Sequence, residues 1–211
     1  IKAEHYLPAF EAAMAEHDKE IQAIIDNAEA PTFDNTIAAL DYSGQTLTKV
    51  AGVFYNMMAA NTSEELQKVN EQIGPMMATH SDNVSMNAKL FEKIKAVYDA
   101  KDSQKYTGEQ LALLEKTYNK FVRSGALLDA AKQEELRKVN AELTKVEAKF
   151  DANLLKESKA YQLVIDKEEN LKGLPQGEIE KAAALAKQEG KEGKWIFTLD
   201  NPSFMPFVTY A

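Results

Sequence analysis

Few residues in this chain could carry chemistry. There are three histidines, His5, His17 and His80, and no cysteine. Metal ligation from one helix needs two such side chains on the same face, as in His-Glu-x-x-His. No two of the histidines meet that spacing. The run Glu16-His17-Asp18-Lys19-Glu20 holds a single imidazole and is not read as a metal site. His17 and His80 both fall on apolar helical stripes, where an unaccompanied histidine reads as a hydrogen-bonded core residue. Asp166, Glu168 and Asn170 imitate the start of a calcium loop. Leu171 stands where that loop needs glycine, and Gly177 where it needs glutamate. There is no glycine-rich phosphate loop and no G-x-S-x-G elbow. Adjacent carboxylates such as Glu64-Glu65 and Glu134-Glu135 read as solvated helix faces. No catalytic residue and no metal ligand is assigned.

The elements that would position any site are helical. The stretch Phe33 to Met58 is the centre of the pattern. Phe33, Ile37, Leu40, Gly44, Leu47, Ala51, Phe54 and Met58 alternate steps of four and three, which is one stripe of a helix. Asp34 is expected to cap it. Gly44 and Ala51 are small, and a close neighbour is expected to fill the space beside them. An earlier helix spans 4–27, with Phe10, Met14, His17, Ile21 and Ile24 on its stripe. Ser63 caps a third helix that carries Leu66, Val69, Ile73, Met77, His80 and Val84, kinked at Pro75. Leu90 to Tyr98 forms a shorter helix. Thr107 with Gln110 makes a capping-box spacing for the next. Asp129 caps the longest, on which Leu136, Val139, Leu143, Val146, Phe150 and Leu154 recur at steps of three and four.

After Ala160 the pattern changes. Residues 161–165 and 195–199 read as strands by their β-branched and aromatic content. A short helix, 178–188, lies between them, and an apolar tail follows from Asn201. The expected fold is therefore mainly α: a multi-helix bundle with long antiparallel helices and a small C-terminal segment with two short strands. The expected domains are a helical bundle over 1–160 and a strand-helix-strand segment over 161–211. Two strands make a poor sheet alone, so this segment is expected to need partners beyond these residues and to show some tendency to self-associate. The net charge of −8 disfavours nucleic-acid phosphates and anionic membranes as partners.

Several stretches carry a resemblance. They are His5-Tyr6-Leu7-Pro8-Ala9-Phe10, the decapeptide Pro31 to Leu40, Asn61 to Leu66, Phe121 to Ala126, and the tail Leu199 to Ala211. In this order the chain resembles the zinc oligopeptidases that include thimet oligopeptidase, oligopeptidase A and bacterial peptidyl-dipeptidase, with spacing most similar to the last branch. The resemblance implies the N-terminal part of a longer chain. It implies a helical clam around a deep channel that admits short unfolded peptides. It also implies a zinc centre, His-Glu-x-x-His plus a downstream Glu, in a C-terminal catalytic half that has no counterpart in this sequence. Zinc is thus expected in the full-length protein and not in this segment. The expected partners are peptide substrates and that catalytic half, in the cytoplasm or alternatively the periplasm. Tyr55, Asn56 and Asn61, at the end of the central helix, are the candidates for the channel surface. The competing reading is an independent helical interaction domain that binds a partner along 129–159.

Overall fold

A computed structural model describes all 211 residues, Ile1–Ala211. The chain forms two compact units, Ile1–Val146 and Glu147–Ala211. The division falls inside the longest helix, whereas the change in sequence character comes after it, at Ala160. The architecture is mainly helical with a single pair of short strands.

In the first unit the apolar pattern builds two cores. One gathers Ile21, Ile24, Ile37, Leu90, Phe91, Ile94, Val97, Leu114 and Phe121. The other gathers Tyr6, Phe10, Ala13, Met14, Leu47, Phe54, Leu66 and Ile73. Helix α1 (Tyr6–Asp26) serves both, its first half in the second core and its last turns in the first. Phe54 is fully buried and meets the Tyr6 and Phe10 rings edge-on, with centroids 5.0 and 5.6 Å away. Such T-shaped contacts suit the ring quadrupoles.

The central stripe is not one helix. Phe33–Ala38 winds as a π-type turn and α2 (Ala39–Tyr42) continues it. Ser43 is then extended, Gly44 takes φ +70°, and α3 (Gln45–Ala60) begins. The physical reason lies in the cores. Ile37 goes to the first and Leu47 and Phe54 to the second, so the chain must turn between them. The left-handed backbone that allows the turn suits only glycine at low cost. The cap is also displaced. Thr32, not Asp34, accepts from the Asn35 amide at 3.1 Å, and Asn35 Oδ1 accepts from the Thr32 amide at 2.7 Å.

The caps expected at Ser63, Thr107 and Asp129 are present, and Asn87 adds another. Ser63 Oγ accepts from the Leu66 amide at the start of α4 (Glu64–Ser85), which runs through Pro75 without stopping. Asn87 caps α5 (Ala88–Asp99). Thr107 and Gln110 close a reciprocal box on α6 (Gly108–Arg123). Asp129 Oδ1 accepts from the Lys132 amide at the head of α7 (Ala130–Ala160). The helix α7 touches α4 through Asn140 on Asp82 and Arg137 on Asn83. Its apolar stripe is not core. Val139, Leu143, Val146, Phe150 and Leu154 are each more than half exposed.

In the second unit, β1 (Leu163–Ile165) pairs antiparallel with β2 (Trp195–Phe197), Leu163 opposite Phe197. The strands are shorter than their β-rich stretches. Helix α8 (Gln176–Gln188) lays Ala182 and Ala186 inward, and Ile165, Leu171, Leu174 and Phe197 complete a small core. The apolar tail is helical, α9 (Asn201–Tyr210), with Pro202 in the first turn, where no amide hydrogen is needed. Phe207 of α9 packs on Phe197 at 4.7 Å. Gly173, at φ +103°, lies so close to the Tyr210 carbonyl that a Cβ would fall 2.2 Å from its oxygen.

Two glycine substitutions test these constraints. Gly44→Ala is expected to lower stability by about 1–3 kcal/mol, through left-handed strain and contact with the His17 ring. Denaturant titration followed by far-UV circular dichroism measures it. Gly173→Ala must displace α9. Trp195 is the only tryptophan and lies in the second unit, so its fluorescence midpoint should fall. An unchanged midpoint would contradict the packing.

Candidate functional site

The polar residues of the first unit converge where its two cores meet. On α1, His17 sits between Met14 of one core and Ile21 of the other. On α4, His80 lies between Ile73 of the second core and Val84, which packs against the first. Ser43 stands at the turn between Leu40 and Leu47. His17 Nδ1 and His80 Nε2 are 2.9 Å apart and hydrogen bonded. His80 Nδ1 is 3.3 Å from Asp18 Oδ1, and His17 Nε2 is 3.1 Å from Ser43 Oγ. Ser43 Oγ also donates to the Leu40 carbonyl at 2.7 Å. The Glu20 carboxylate accepts from the Gly44 amide at 2.6 Å, and Glu16 accepts from Thr46 Oγ1 at 3.1 Å. These carboxylates sit at the amino end of α3, where negative charge is favoured. Burial, and then the second imidazole, hold the His17 pKa below its ordinary value.

Both histidines therefore do read as hydrogen-bonded residues of the interior, but neither is unaccompanied. They are 63 positions apart, and no local spacing could have paired them. The only signal was that each interrupts an apolar stripe.

Beside this node, α3 forms one wall of an open groove of about 580 Å³. Gly44, Thr48, Ala51, Gly52, Tyr55 and Asn56 line it from the helix, with His17 and Met77 opposite. Gly44 is small because the His17 ring lies 3.2–3.3 Å from where its Cβ would be. Ala51 packs against the second core and also borders the groove. Gly52 borders open space, with nothing within 4 Å of a Cβ built on it. A second cavity, about 370 Å³, lies on the other side of the node and is lined by His80, Lys120, Asp41 and Thr117. His17, Ser43, Leu47 and Met77 border both.

Two of the three residues singled out in the sequence, Tyr55 and Asn56, line the groove together. Asn61 does not. It follows the end of α3, exposed, with its amide donating to the Met57 carbonyl at 2.9 Å. Burial raises the Tyr55 pKa, so its hydroxyl stays protonated and able to donate. Asn56 Nδ2 donates to the Gly52 carbonyl at 2.7 Å, which fixes the carboxamide along the helix.

The polar node and the open groove meet at His17 and Ser43. The series Ser43, His17, His80 and Asp18 has the residue types of a nucleophile relay. The Ser43 hydroxyl, however, is shared with the Leu40 carbonyl, and the neighbouring Gly44 amide is already taken by Glu20. No group of three His, Asp or Glu side chains is placed to hold a metal ion. No helix is long and apolar enough to cross a membrane.

No family model matches the chain. Curated proteins do. It is 36% identical over 202 residues to dipeptidyl carboxypeptidase of Escherichia coli strain K12, an alignment that covers 96% of this chain and 30% of that protein. It is 35% identical over 206 residues to the dipeptidyl carboxypeptidase of Salmonella typhimurium, with 98% and 30% covered. Organellar oligopeptidase A of Arabidopsis thaliana is 26% identical over 217 residues, with 100% and 27% covered. These matches take in nearly the whole of this chain but only about 30% of each relative's length. Over the residues it presents, the chain belongs to the peptidase family of the dipeptidyl carboxypeptidases and oligopeptidases A.

Proposed function

We propose that this chain is the N-terminal, channel-forming part of a zinc metallopeptidase that removes C-terminal dipeptides from short peptides. The observation that carries this reading is the coverage. The match spans nearly all of this chain and about 30% of proteins named dipeptidyl carboxypeptidase. The role left for these residues is to bind and to exclude. The open groove beside α3, with small side chains on its helical wall and Tyr55 and Asn56 at one end, suits an extended peptide and leaves no depth for a folded one.

Zinc belongs to the same proposal. The donor set here does not fit it, since no three ligating side chains converge. Its ligands are assigned to the catalytic half of the longer protein, and no step through the metal is derived for these residues. That half, and the peptides it cuts, are the partners proposed for this chain, in the cytoplasm. The exposed apolar stripe on α7 supports a missing neighbour. The same stripe favours the second reading, an interaction domain that binds another protein along α7.

Assaying dipeptide release separates the two. Activity is expected from the complete protein and lost on chelation, with none from residues 1–211 alone. Release of dipeptides by the isolated chain would overturn the assignment. No activity in the complete protein would favour the interaction domain. Within an active complete protein, Tyr55→Phe and Asn56→Ala are each expected to raise KM about 5–10-fold, the value of one hydrogen bond, with kcat nearly unchanged. Asn61→Ala should change neither. Gly52→Leu, which fills the groove, should raise KM further without loss of stability. Unaltered kinetics in Gly52→Leu would remove the groove from the substrate path.

A further inference from the structure

The imidazole pair has a proton count that its geometry enforces. The one hydroxyl hydrogen of Ser43 goes to the Leu40 carbonyl at 2.7 Å, so His17 Nε2–H donates to Ser43 Oγ. In the neutral ring His17 Nδ1 is then an acceptor, and His80 Nε2–H donates to it at 2.9 Å. His80 Nδ1 is left 3.3 Å from the Asp18 carboxylate. One added proton is tolerated, on His80 Nδ1 beside that carboxylate. A second must go to His17 Nδ1. Both facing nitrogens then carry hydrogens, the bond is lost, and two like charges abut in a half-buried site.

We propose that His17 and His80 form a proton-operated latch. Closed, it ties α1, α4 and the Ser43–Gly44 turn together. Charged on both rings, it opens and joins the groove beside α3 to the inner cavity. His17 and Ser43 are part of the wall that borders both spaces. The inference rests on the node's geometry and is independent of the peptidase reading.

Charge around the pair comes from α1, α2, α4 and α6. From α1, Asp18 and Glu20 favour a charged His17, and Glu20 is held by the Gly44 amide. From α6, Lys120 opposes it, as does His80 of α4. Asp41 of α2 lines the inner cavity with them. Burial is the largest influence and keeps the folded His17 pKa below the unfolded one. As pH falls, the unfolded chain takes up the proton first. His17's contribution to stability is therefore complete above about pH 6.5 and is lost below it.

Amide hydrogen exchange on the 211-residue chain, corrected for intrinsic rates, tests the latch between pH 7.5 and 5.0. Protection at Gly44 and over 77–84 is expected to be lost ahead of that in α5 and α6 as the pH falls. His80→Gln cannot charge, and there the early loss should vanish. Asp18→Asn removes a carboxylate that is 62% exposed at its side chain. It should move the opening to lower pH, and it serves if His80→Gln does not fold. Imidazole proton resonances should titrate jointly, in two steps. Independent titration of the two rings, or wild-type exchange curves in both variants, would overturn the latch.

Discussion

The fold of the first unit depends on one constraint: two apolar cores share one helix, and a polar residue stands where they meet. Phe10 and Met14 of α1 belong to one core, and Ile21 and Ile24 to the other. His17 lies between them and cannot be buried without partners. His80, Ser43 and, through His80, Asp18 supply them. No buried side-chain nitrogen or oxygen is left unpaired anywhere in the chain. The same ring lies where a side chain on Gly44 would be. The turn between α2 and α3 that serves the two cores must therefore be made by a residue without a side chain.

That turn makes the groove. The left-handed residue redirects α3 so that Leu47, Ala51 and Phe54 reach the second core, while Gly52 borders open space. Net binding to a surface of this kind comes from shape and a few hydrogen bonds rather than from charge chemistry. Under the proposed function, peptidase chemistry and its zinc would lie outside residues 1–211.

Much of the fold is legible in the sequence because its signals are local. Capping at Ser63, Thr107 and Asp129 depends on residues three apart, and each occurs where the spacing puts it. The break at Ser43–Gly44 is not legible in the same way. The steps of four and three run through it without interruption, because the turn keeps the apolar residues facing inward while sending them to different cores. Periodicity reports which side is buried, and not against what. The same limit explains α7. Its stripe from Val139 to Leu154 has the spacing of a core and is exposed. In α9, two prolines and a run of aromatic residues obscure a helix that starts at a proline-tolerant position. Of the candidate site, Tyr55 and Asn56 could be singled out by their place at the end of a core helix. The His17–His80 pair could not, since the contact is tertiary.

The most direct test is to map peptide binding on the 211-residue chain by amide chemical shifts, titrating a short unstructured peptide with a free C-terminus. Saturable shifts concentrated at Ser43, Gly44, Gly52, Tyr55 and Asn56 are the expected result, and they would identify the groove beside α3 as the peptide surface. The absence of saturable shifts there, or shifts confined to the Val139–Leu154 face of α7, would contradict it and leave an interaction domain in its place.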